Sequence, residues 1–141
     1  MSDKLRDIIY YLVSKLGYIE SRTKLVKLIY LADVKAKREL NRTISGVNYV
    51  YHFYGPYSPK IIEKALEMDG EEIKEIYNPL WDRYEYYKGK KGRRMSLKEE
   101  EIKILDSIIK EYDGLSTQKI KEVAYNTKEM RKAKPGEIVL T

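Results

Sequence analysis

Cysteine is absent from this 141-residue chain and histidine occurs only once, and each shortage excludes a class of functional site. Without cysteine there is no disulfide framework, no thiolate metal site and no cysteine nucleophile. His52 alone supplies too few ligands for a usual zinc site, and no serine–aspartate context suggests a catalytic triad. No phosphate-binding loop, dinucleotide fingerprint or nucleophile elbow occurs either. The composition therefore predicts a protein that is not an enzyme and carries no metal or cofactor.

A long apolar run is also missing. A membrane-spanning helix needs about 20 predominantly apolar residues. The uncharged stretch at residues 43–59 does not qualify, because it contains Gly46, Gly55 and Pro56. The chain begins MSDKLRD, which is charged at once and lacks the apolar core of a signal peptide. We therefore expect no membrane contact and a cytoplasmic location, and the length predicts a single domain over residues 1–141.

Tyrosine, in contrast, is abundant, with fourteen residues against one phenylalanine and one tryptophan. In the segment 49–59, YVYHFYGPYSP, aromatic residues alternate at first with other side chains, and this period of two predicts a strand near residues 49–54. Tyrosine joins an apolar ring to a polar hydroxyl and is enriched at protein interfaces. Tyr49, Tyr54 and Tyr57 are therefore candidate partner-binding residues. The alternative is that their rings seal the core beneath the following turn.

Local signals predict that turn and the helices of the chain. Gly55-Pro56 is expected to end the strand in a tight turn, Ser58 to cap the next helix and Pro59 to be its first residue. Apolar residues spaced three and four apart predict the other helices. The second helix is expected to be central in the core because its apolar stripe is wide. The predicted helices cover residues 3–15, 22–40, 59–68, 97–112, a fifth from about 117, and 128–133.

The part between the third and fourth helices is harder to interpret. Residues 71–81 have apolar side chains at helical spacing, but Asn78-Pro79 interrupts them. The residues that follow have strand character, and a lysine- and glycine-rich loop after them predicts a hairpin near residues 81–95. Ser96-Leu97-Lys98-Glu99 predicts a capping box that opens the fourth helix. The expected fold class is α+β and mainly α, a compact arrangement of five to six helices with a small β element.

A cluster of positive charge follows the predicted strand, on a chain with a net charge of +6. Its residues are Lys88, Lys90, Lys91, Arg93 and Arg94. A basic hairpin tip beside tyrosines is able to follow a nucleic-acid backbone while the rings stack on bases. The fourth and fifth helices have helix-turn-helix spacing, which would put Gln118 on a recognition helix. The alternative is a solvated turn whose charges discourage pairing of strand edges.

Two motifs, taken together, resemble a known family. KLVKLIYLAD at residues 24–33, a basic and polar linker, and YGPYSP at residues 54–59 are similar to the Panacea domain, also called the SocA-like antitoxin domain. The resemblance begins near Arg22 and continues more faintly to KPGE at residues 134–137. The matching positions are Lys24, Leu25, Leu28, Tyr30, Leu31, Ala32, Gly46, Tyr54, Gly55, Pro56, Ser58 and Pro59. They are of structural type: an inward-facing stripe, a turn and a helix start.

The resemblance implies an antitoxin that neutralises a partner toxin through protein–protein contact, on a mainly helical fold with a small β element. None of the matching residues is of catalytic type in a catalytic arrangement, which favours a binding module. We therefore expect an antitoxin-like protein whose partner is a toxin. The alternative is a winged-helix-like nucleic-acid-binding regulator, and both interpretations leave a homo-oligomer open.

Overall fold

A computed structural model describes residues 3–140, and within them six helices and six short strands form an α+β, mainly helical fold. The predicted fold class is confirmed. The helices are α1 (Lys4–Leu16), α2 (Arg22–Leu40), α3 (Pro59–Met68), α4 (Glu99–Tyr112), α5 (Thr117–Tyr125) and α6 (Lys128–Lys132). The strands are β1 (Tyr18–Ile19), β2 (Tyr49–His52), β3 (Gly55–Tyr57), β4 (Ile73–Asn78), β5 (Arg83–Lys88) and β6 (Ile138–Val139).

The helix boundaries follow capping signals in the sequence. Asp3 caps α1 with a side-chain hydrogen bond, and Gly17 ends that helix in the left-handed conformation with a φ of 76°. Ser21 caps α2 in the same way, and Asn41 ends it with a φ of 61°. These side chains satisfy N–H groups that the start of a helix leaves unpaired. Ser58 stands at the predicted start of α3, although its side chain makes no capping hydrogen bond.

Helix α2 lies at the centre of the core, as predicted. Residues 24–34 are buried without interruption, which is three turns of helix and therefore every face of it. Helices α4 and α5 and strand β3 pack around it. A helix buried on all sides must satisfy its polar side chains within the protein. The polar residues of α2 therefore determine how the neighbouring segments are arranged.

The first small sheet has the strand order β3-β2-β6 and is antiparallel. Strands β2 and β3 form a hairpin whose turn is made by Phe53 and Tyr54, and His52 pairs with Gly55. The prediction that Gly55-Pro56 forms the turn is wrong, because both residues already belong to β3. Pro56 is tolerated in a strand here because β3 is an edge strand, where a missing N–H breaks no ladder.

The second sheet has the order β1-β5-β4, and β4 pairs with β5 along its whole length. The predicted hairpin near residues 81–95 is therefore wrong. Strand β5 forms its hairpin with β4, which precedes it in the chain, and not with the residues that follow it. The turn lies directly after Asn78, whose side-chain oxygen accepts a hydrogen bond from the N–H of Leu80 at 3.0 Å. Asp82 completes it with a φ of 49°. Asn and Asp form such turns readily, and this local chemistry outweighs the helical spacing of residues 71–81.

The chain leaves this sheet at Gly89. Its N–H donates to the carbonyl oxygen of Glu72 at 2.9 Å, and a Cβ at this position would lie 2.3 Å from the carbonyl oxygen of Glu71. Only glycine allows so close an approach of two backbones. From Gly89 the chain runs through residues 90–98 without forming a strand and reaches α4. The predicted return strand is therefore absent from this part of the structure.

The capping box of α4 lies two residues later than predicted. The Lys98 N–H donates to the carboxylate of Glu101 at 2.8 Å. Ser96, the predicted cap, instead donates its N–H and its hydroxyl to Asp7, at 3.1 and 3.2 Å. Asp7 is fully buried, and a buried carboxylate needs such donors. A tertiary contact with α1 therefore overrides the local signal at Ser96.

Candidate functional site

Four buried polar side chains lie at intervals of three residues along α2, and we call them the polar stripe. They are Lys24, Lys27, Tyr30 and Asp33. Each makes a hydrogen bond to a different segment: the α4–α5 turn, β3, the α5–α6 turn and the loop between α2 and β2. The leucines of the same motif, Leu25, Leu28 and Leu31, are buried as well. The motif thus combines an apolar surface with a set of specific attachments.

Asp33 holds the loop before β2 in place by accepting four hydrogen bonds. They come from the N–H groups of Ile44 (2.8 Å) and Ser45 (3.0 Å), from the Ser45 hydroxyl, and from the Tyr49 hydroxyl (2.6 Å). Burial raises the pKa of Asp33, and the bonds from Ser45 and Tyr49 oppose that rise. The carboxylate therefore fixes the register in which β2 enters the sheet.

Lys27 joins the two sequence motifs. Its ammonium donates to the carbonyl oxygen of Pro56 at 2.8 Å, which links residues 24–33 to residues 54–59. Gly55 makes this approach possible, because it has a φ of 106° and a Cβ there would lie 3.4 Å from the Cε of Lys27. Glycine is therefore required at this position for its backbone conformation, and the lysine beside it leaves little room for a side chain.

We expect Gly55→Ala to lower the free energy of unfolding by about 1–3 kcal/mol, because an L-residue is strained at this φ. The matched control is Gly114→Ala: Gly114 has a φ of 87°, but nothing lies within 4 Å of its added Cβ. The Gly55 variant should be the less stable of the two in urea unfolding, since it must also displace Lys27. Equal losses in the two variants would contradict the close contact with Lys27.

The turn of the β2–β3 hairpin presents two aromatic side chains to solvent, and we call them the aromatic tip. Phe53 is 84% exposed and Tyr54 is 57% exposed. Their rings meet edge to face, with centroids 5.3 Å apart. The ammonium of Lys121, on α5, lies 5.3 Å from the centre of the Tyr54 ring. Adjacent exposed aromatic residues are typical of a contact surface, because soluble monomers rarely expose contiguous apolar side chains that no partner covers.

Tyr54 lies between two pockets. One, of about 320 Å³, is formed by the hairpin and the first turns of α2, and we call it the α2 pocket. Its polar lining consists of Arg22, Thr23, Lys27, His52, Tyr54 and Tyr57. The other, of about 300 Å³, lies between the aromatic tip and α5 and includes Tyr125. The hairpin thus offers an apolar projection with a concave site on each side.

The α2 pocket has an unusual electrostatic character. Lys27 is 2% exposed, and burial together with the nearby cation Lys121 lowers its pKa to about 8. Arg22 is paired behind the pocket with Glu75, its Nε lying 2.9 Å from the carboxylate. Among residues 3–140 no carboxylate lines the pocket or forms an ion pair with Lys27. A buried cation without an opposite charge is unfavourable, so the pocket attracts anions.

The three predicted partner-binding tyrosines fall into two groups. Tyr54 and Tyr57 both line the α2 pocket, and Tyr54 is also part of the exposed turn. Tyr49 is fully buried, and its ring packs edge-on against Tyr30 at 5.1 Å. Tyr49 therefore packs in the core, which is the alternative interpretation of these residues, and its ring is not accessible at the surface.

The basic cluster at residues 88–94 is not a uniform surface. Arg93 is mostly buried and binds Asp7 and Glu72, and Lys91 lies 3.2 Å from Glu71. The remaining three cations, Lys88, Lys90 and Arg94, are exposed, and so is Gln118 on α5. The structure therefore leaves fewer free charges here than the sequence suggested. The prediction that the cluster forms a hairpin tip is wrong, because the tip of the β4–β5 hairpin lies at residues 79–82.

A second exposed apolar feature was not recognised in the sequence. The turn between β4 and β5 carries Leu80 and Trp81, which are 85% and 64% exposed. The guanidinium of Arg83 lies 5.5 Å from the centre of the Trp81 ring. The sequence signal for this feature is an apolar pair directly after Asn78-Pro79. These two residues favour a turn, and side chains in a surface turn remain exposed to solvent. We call Leu80 and Trp81 the second tip.

Other classes of site have little support. Every helix within residues 3–140 is too short or too polar to span a bilayer. In the same range, histidine, aspartate and glutamate side chains form no group of three that would hold a metal ion.

Comparison with known proteins gives one match. No curated protein and no solved structure matches the chain. A family model with the description "Antitoxin SocA-like, Panacea domain" matches residues 25–129. This range takes in most of α2, the Lys27–Pro56 hydrogen bond and the aromatic tip, and it covers roughly three quarters of the 141 residues. With a match of this length, across the elements that define the fold, the chain belongs to the SocA-like antitoxin family with a Panacea domain.

Proposed function

We propose that this protein is an antitoxin that binds a partner toxin by direct protein–protein contact and neutralises it, without enzymatic activity and in the cytoplasm. The observation that carries the proposal is membership of the antitoxin family over residues 25–129. The aromatic tip supports it, since large aromatic side chains at the centre of an interface supply much of its binding energy. A binding module of this kind needs a surface rather than a reaction centre.

The proposed contact surface is the aromatic tip with the α2 pocket beside it. Phe53 and Tyr54 project from a short hairpin that Lys27 and Gly55 hold against α2. A projection on a fixed base loses little conformational freedom on binding, which favours affinity. Tyr57 contributes a half-buried ring to the same surface. The second tip also has exposed side chains, but the cation beside it, Arg83, is paired with Glu20 and Glu85.

Nucleic-acid binding is the alternative proposal, and it has less support. It would use Lys88, Lys90 and Arg94, with Gln118 as the residue nearest to bases. Affinity for a phosphate backbone depends on the number of cations that reach it. Arg93 and Lys91 are already paired with carboxylates, which leaves three of the five basic residues. We therefore favour the protein partner.

The proposal predicts rescue of growth. Where a candidate toxin is encoded beside this protein, co-expression of the two should restore growth, and the two purified proteins should elute as one complex. The double substitution Phe53→Ser/Tyr54→Ser should weaken that complex at least about tenfold, because hot-spot aromatics each contribute about 2 kcal/mol or more. The matched control is Leu80→Ser/Trp81→Ser at the second tip, which should bind as the native protein does.

The outcomes separate the parts of the proposal. If the neighbouring protein is toxic and is neither rescued nor bound, the antitoxin role is wrong for that pair. If rescue occurs but only the second-tip variant fails, the function holds and the contact surface is wrong. Circular dichroism of both variants checks that the helical fold is retained, which the exposure of all four side chains leads us to expect.

A further inference from the structure

We infer that the α2 pocket binds a carboxylate side chain of the partner protein, carried on an apolar segment that packs against the aromatic tip. The inference rests on the proposed function for the source of the carboxylate. For the chemistry it rests on the pocket itself. It assigns to Lys27 a role in recognition beyond its hydrogen bond to Pro56.

The first observation is the spare bonding capacity of Lys27. An ammonium group has three N–H donors, and one of them is used by the carbonyl oxygen of Pro56. Lys24, one turn earlier in the polar stripe, lies 3.6 Å from a carboxylate oxygen of Glu20 and donates to the carbonyl of Leu115 at 2.7 Å. Lys27 is as buried as Lys24, yet it has no anion within the described part of the chain.

The second observation is that the surroundings are built to favour negative charge. The pocket lies beside the first turns of α2, where the helix dipole favours negative charge. The first turn of α2 has no acidic residue to occupy this position. The hydroxyls of Thr23 and Tyr57 add donors to the lining. Arg22 also lines the pocket, although its Nε and one terminal nitrogen donate to Glu75.

The third observation selects a protein carboxylate over other anions. The mouth of the pocket is bordered by the aromatic tip, and aromatic anchors around a polar centre are typical of protein interfaces. A nucleic-acid backbone is instead bound by a row of exposed cations. Here one cation is buried at the bottom of a site of about 320 Å³. An aspartate or glutamate between apolar residues fits this site, because its carboxylate complements the Lys27 ammonium and its apolar neighbours complement the aromatic tip.

The test is a titration of the full chain with sodium acetate at constant ionic strength, followed by NMR of the backbone amides. Acetamide, which has the same shape without the charge, is the control probe. We expect saturable shifts at Thr23, Lys27 and Gly55 with acetate and not with acetamide. Inorganic phosphate is titrated in parallel to distinguish a carboxylate site from a phosphate site.

Two matched variants test the pocket without removing the Lys27–Pro56 bond. Thr23→Glu supplies an internal carboxylate at the rim and should weaken acetate binding at least about tenfold, which is about 1.4 kcal/mol. Thr23→Gln matches the size of Thr23→Glu without the charge and should bind acetate at least about tenfold more tightly than Thr23→Glu, so the pair isolates the effect of the carboxylate. Lys27→Met, which keeps an unbranched side chain, should lose the response altogether if it folds.

Each contrary result overturns a defined step. Equal shifts with acetamide, shifts spread over the whole surface, or an unchanged response in Thr23→Glu would show that the pocket has no carboxylate site. Phosphate binding about tenfold tighter than acetate would assign the pocket to phosphoryl groups. None of these measurements uses a toxin, so their failure is distinct from failure of the proposed antitoxin function. With the partner in hand, Thr23→Glu should also weaken the complex.

Discussion

The substitution Arg93→Ala should lower the free energy of unfolding by about 3–5 kcal/mol, which is the usual effect of leaving a buried charge without its partner. The Arg93 Nε lies 2.6 Å from Asp7, and a second guanidinium nitrogen lies 3.3 Å from Glu72. Asp7 is completely buried and Glu72 nearly so. Removing the guanidinium leaves two carboxylates in the protein with one cation fewer. Chemical denaturation at neutral pH measures the loss.

The neighbouring residue provides the control. Arg94 is exposed, and Arg94→Ala should change stability by no more than about 0.5 kcal/mol. The two adjacent arginines therefore separate a structural role from a surface charge. If both substitutions have the same small effect, the buried ion pairs of Arg93 do not stabilise the fold.

Acid should reduce the difference between the native protein and Arg93→Ala. Hydrogen bonds from Arg6 lower the pKa of Glu72 from 4.5 to about 2, and the charge of Arg93 contributes to this shift. A carboxylate with a lowered pKa stabilises the fold above its ordinary pKa, and this stabilisation is lost as the pH falls toward the folded-state value. The gap in unfolding free energy should therefore be full above about pH 5 and narrow between pH 4.5 and 2.

A loss of similar size, about 3–5 kcal/mol, is expected for Asp33→Ala, since buried donors left without an acceptor each cost about 1–3 kcal/mol. The substitution removes the common acceptor of two backbone N–H groups and two hydroxyls. The loop at residues 44–49 would lose its attachment to α2, so the amide protons of Ile44 and Ser45 should also exchange faster. Urea unfolding and hydrogen exchange measure the two effects.

Two further variants provide a scale for the loss of unfolding free energy in Asp33→Ala. Tyr49→Phe removes one of the four donors and keeps the ring, so it should cost only about 1 kcal/mol. Asp113→Ala changes an exposed aspartate at the end of α4 and should stay within about 0.5 kcal/mol. An Asp33→Ala variant as stable as Tyr49→Phe would mean that the loop finds other acceptors.

The helices were predictable because their ends are local. Asp3, Ser21 and Ser116 stand directly before apolar periodic segments, and the side chain of each accepts a backbone hydrogen bond from the first turn of its helix. Gly17 and Asn41 mark the other ends by adopting positive φ values. Such signals act within four residues, so no knowledge of the rest of the fold is needed.

The strands were less predictable because pairing depends on distant residues. Residues 73–78 have apolar side chains that fit a helix as well as a strand. The turn after Asn78 favours a strand, and pairing with β5 completes it. The strands β1 and β6 have two residues each and carry no periodic signal at all. The capping residue of α4 also depends on a distant contact. Ser96 donates to Asp7, which lies 89 residues earlier, and therefore does not cap α4 as predicted.

The candidate site was predictable in its location but not in its chemistry. The sequence indicated the segment around Tyr54 and Tyr57, and both tyrosines line the α2 pocket. Alternation along β2 could not tell which side chains face the core, so Tyr49 was included among the surface candidates. Lys27 was part of the recognised motif, but its burial and its bond to Pro56 required the tertiary structure.

The polar stripe of α2 also has a consequence for synthesis of the chain. Lys24 and Tyr30 bind residues that lie 91 and 97 positions later, while Lys27 binds one that lies 29 positions later. Until the ribosome has added Leu115 and Thr127, at about 5–20 residues per second, Lys24 and Tyr30 lack their partners and α2 cannot complete its burial. The nascent chain therefore exposes, for several seconds, the helix that the folded protein buries most completely, and we expect this interval to be the one in which it depends most on chaperones.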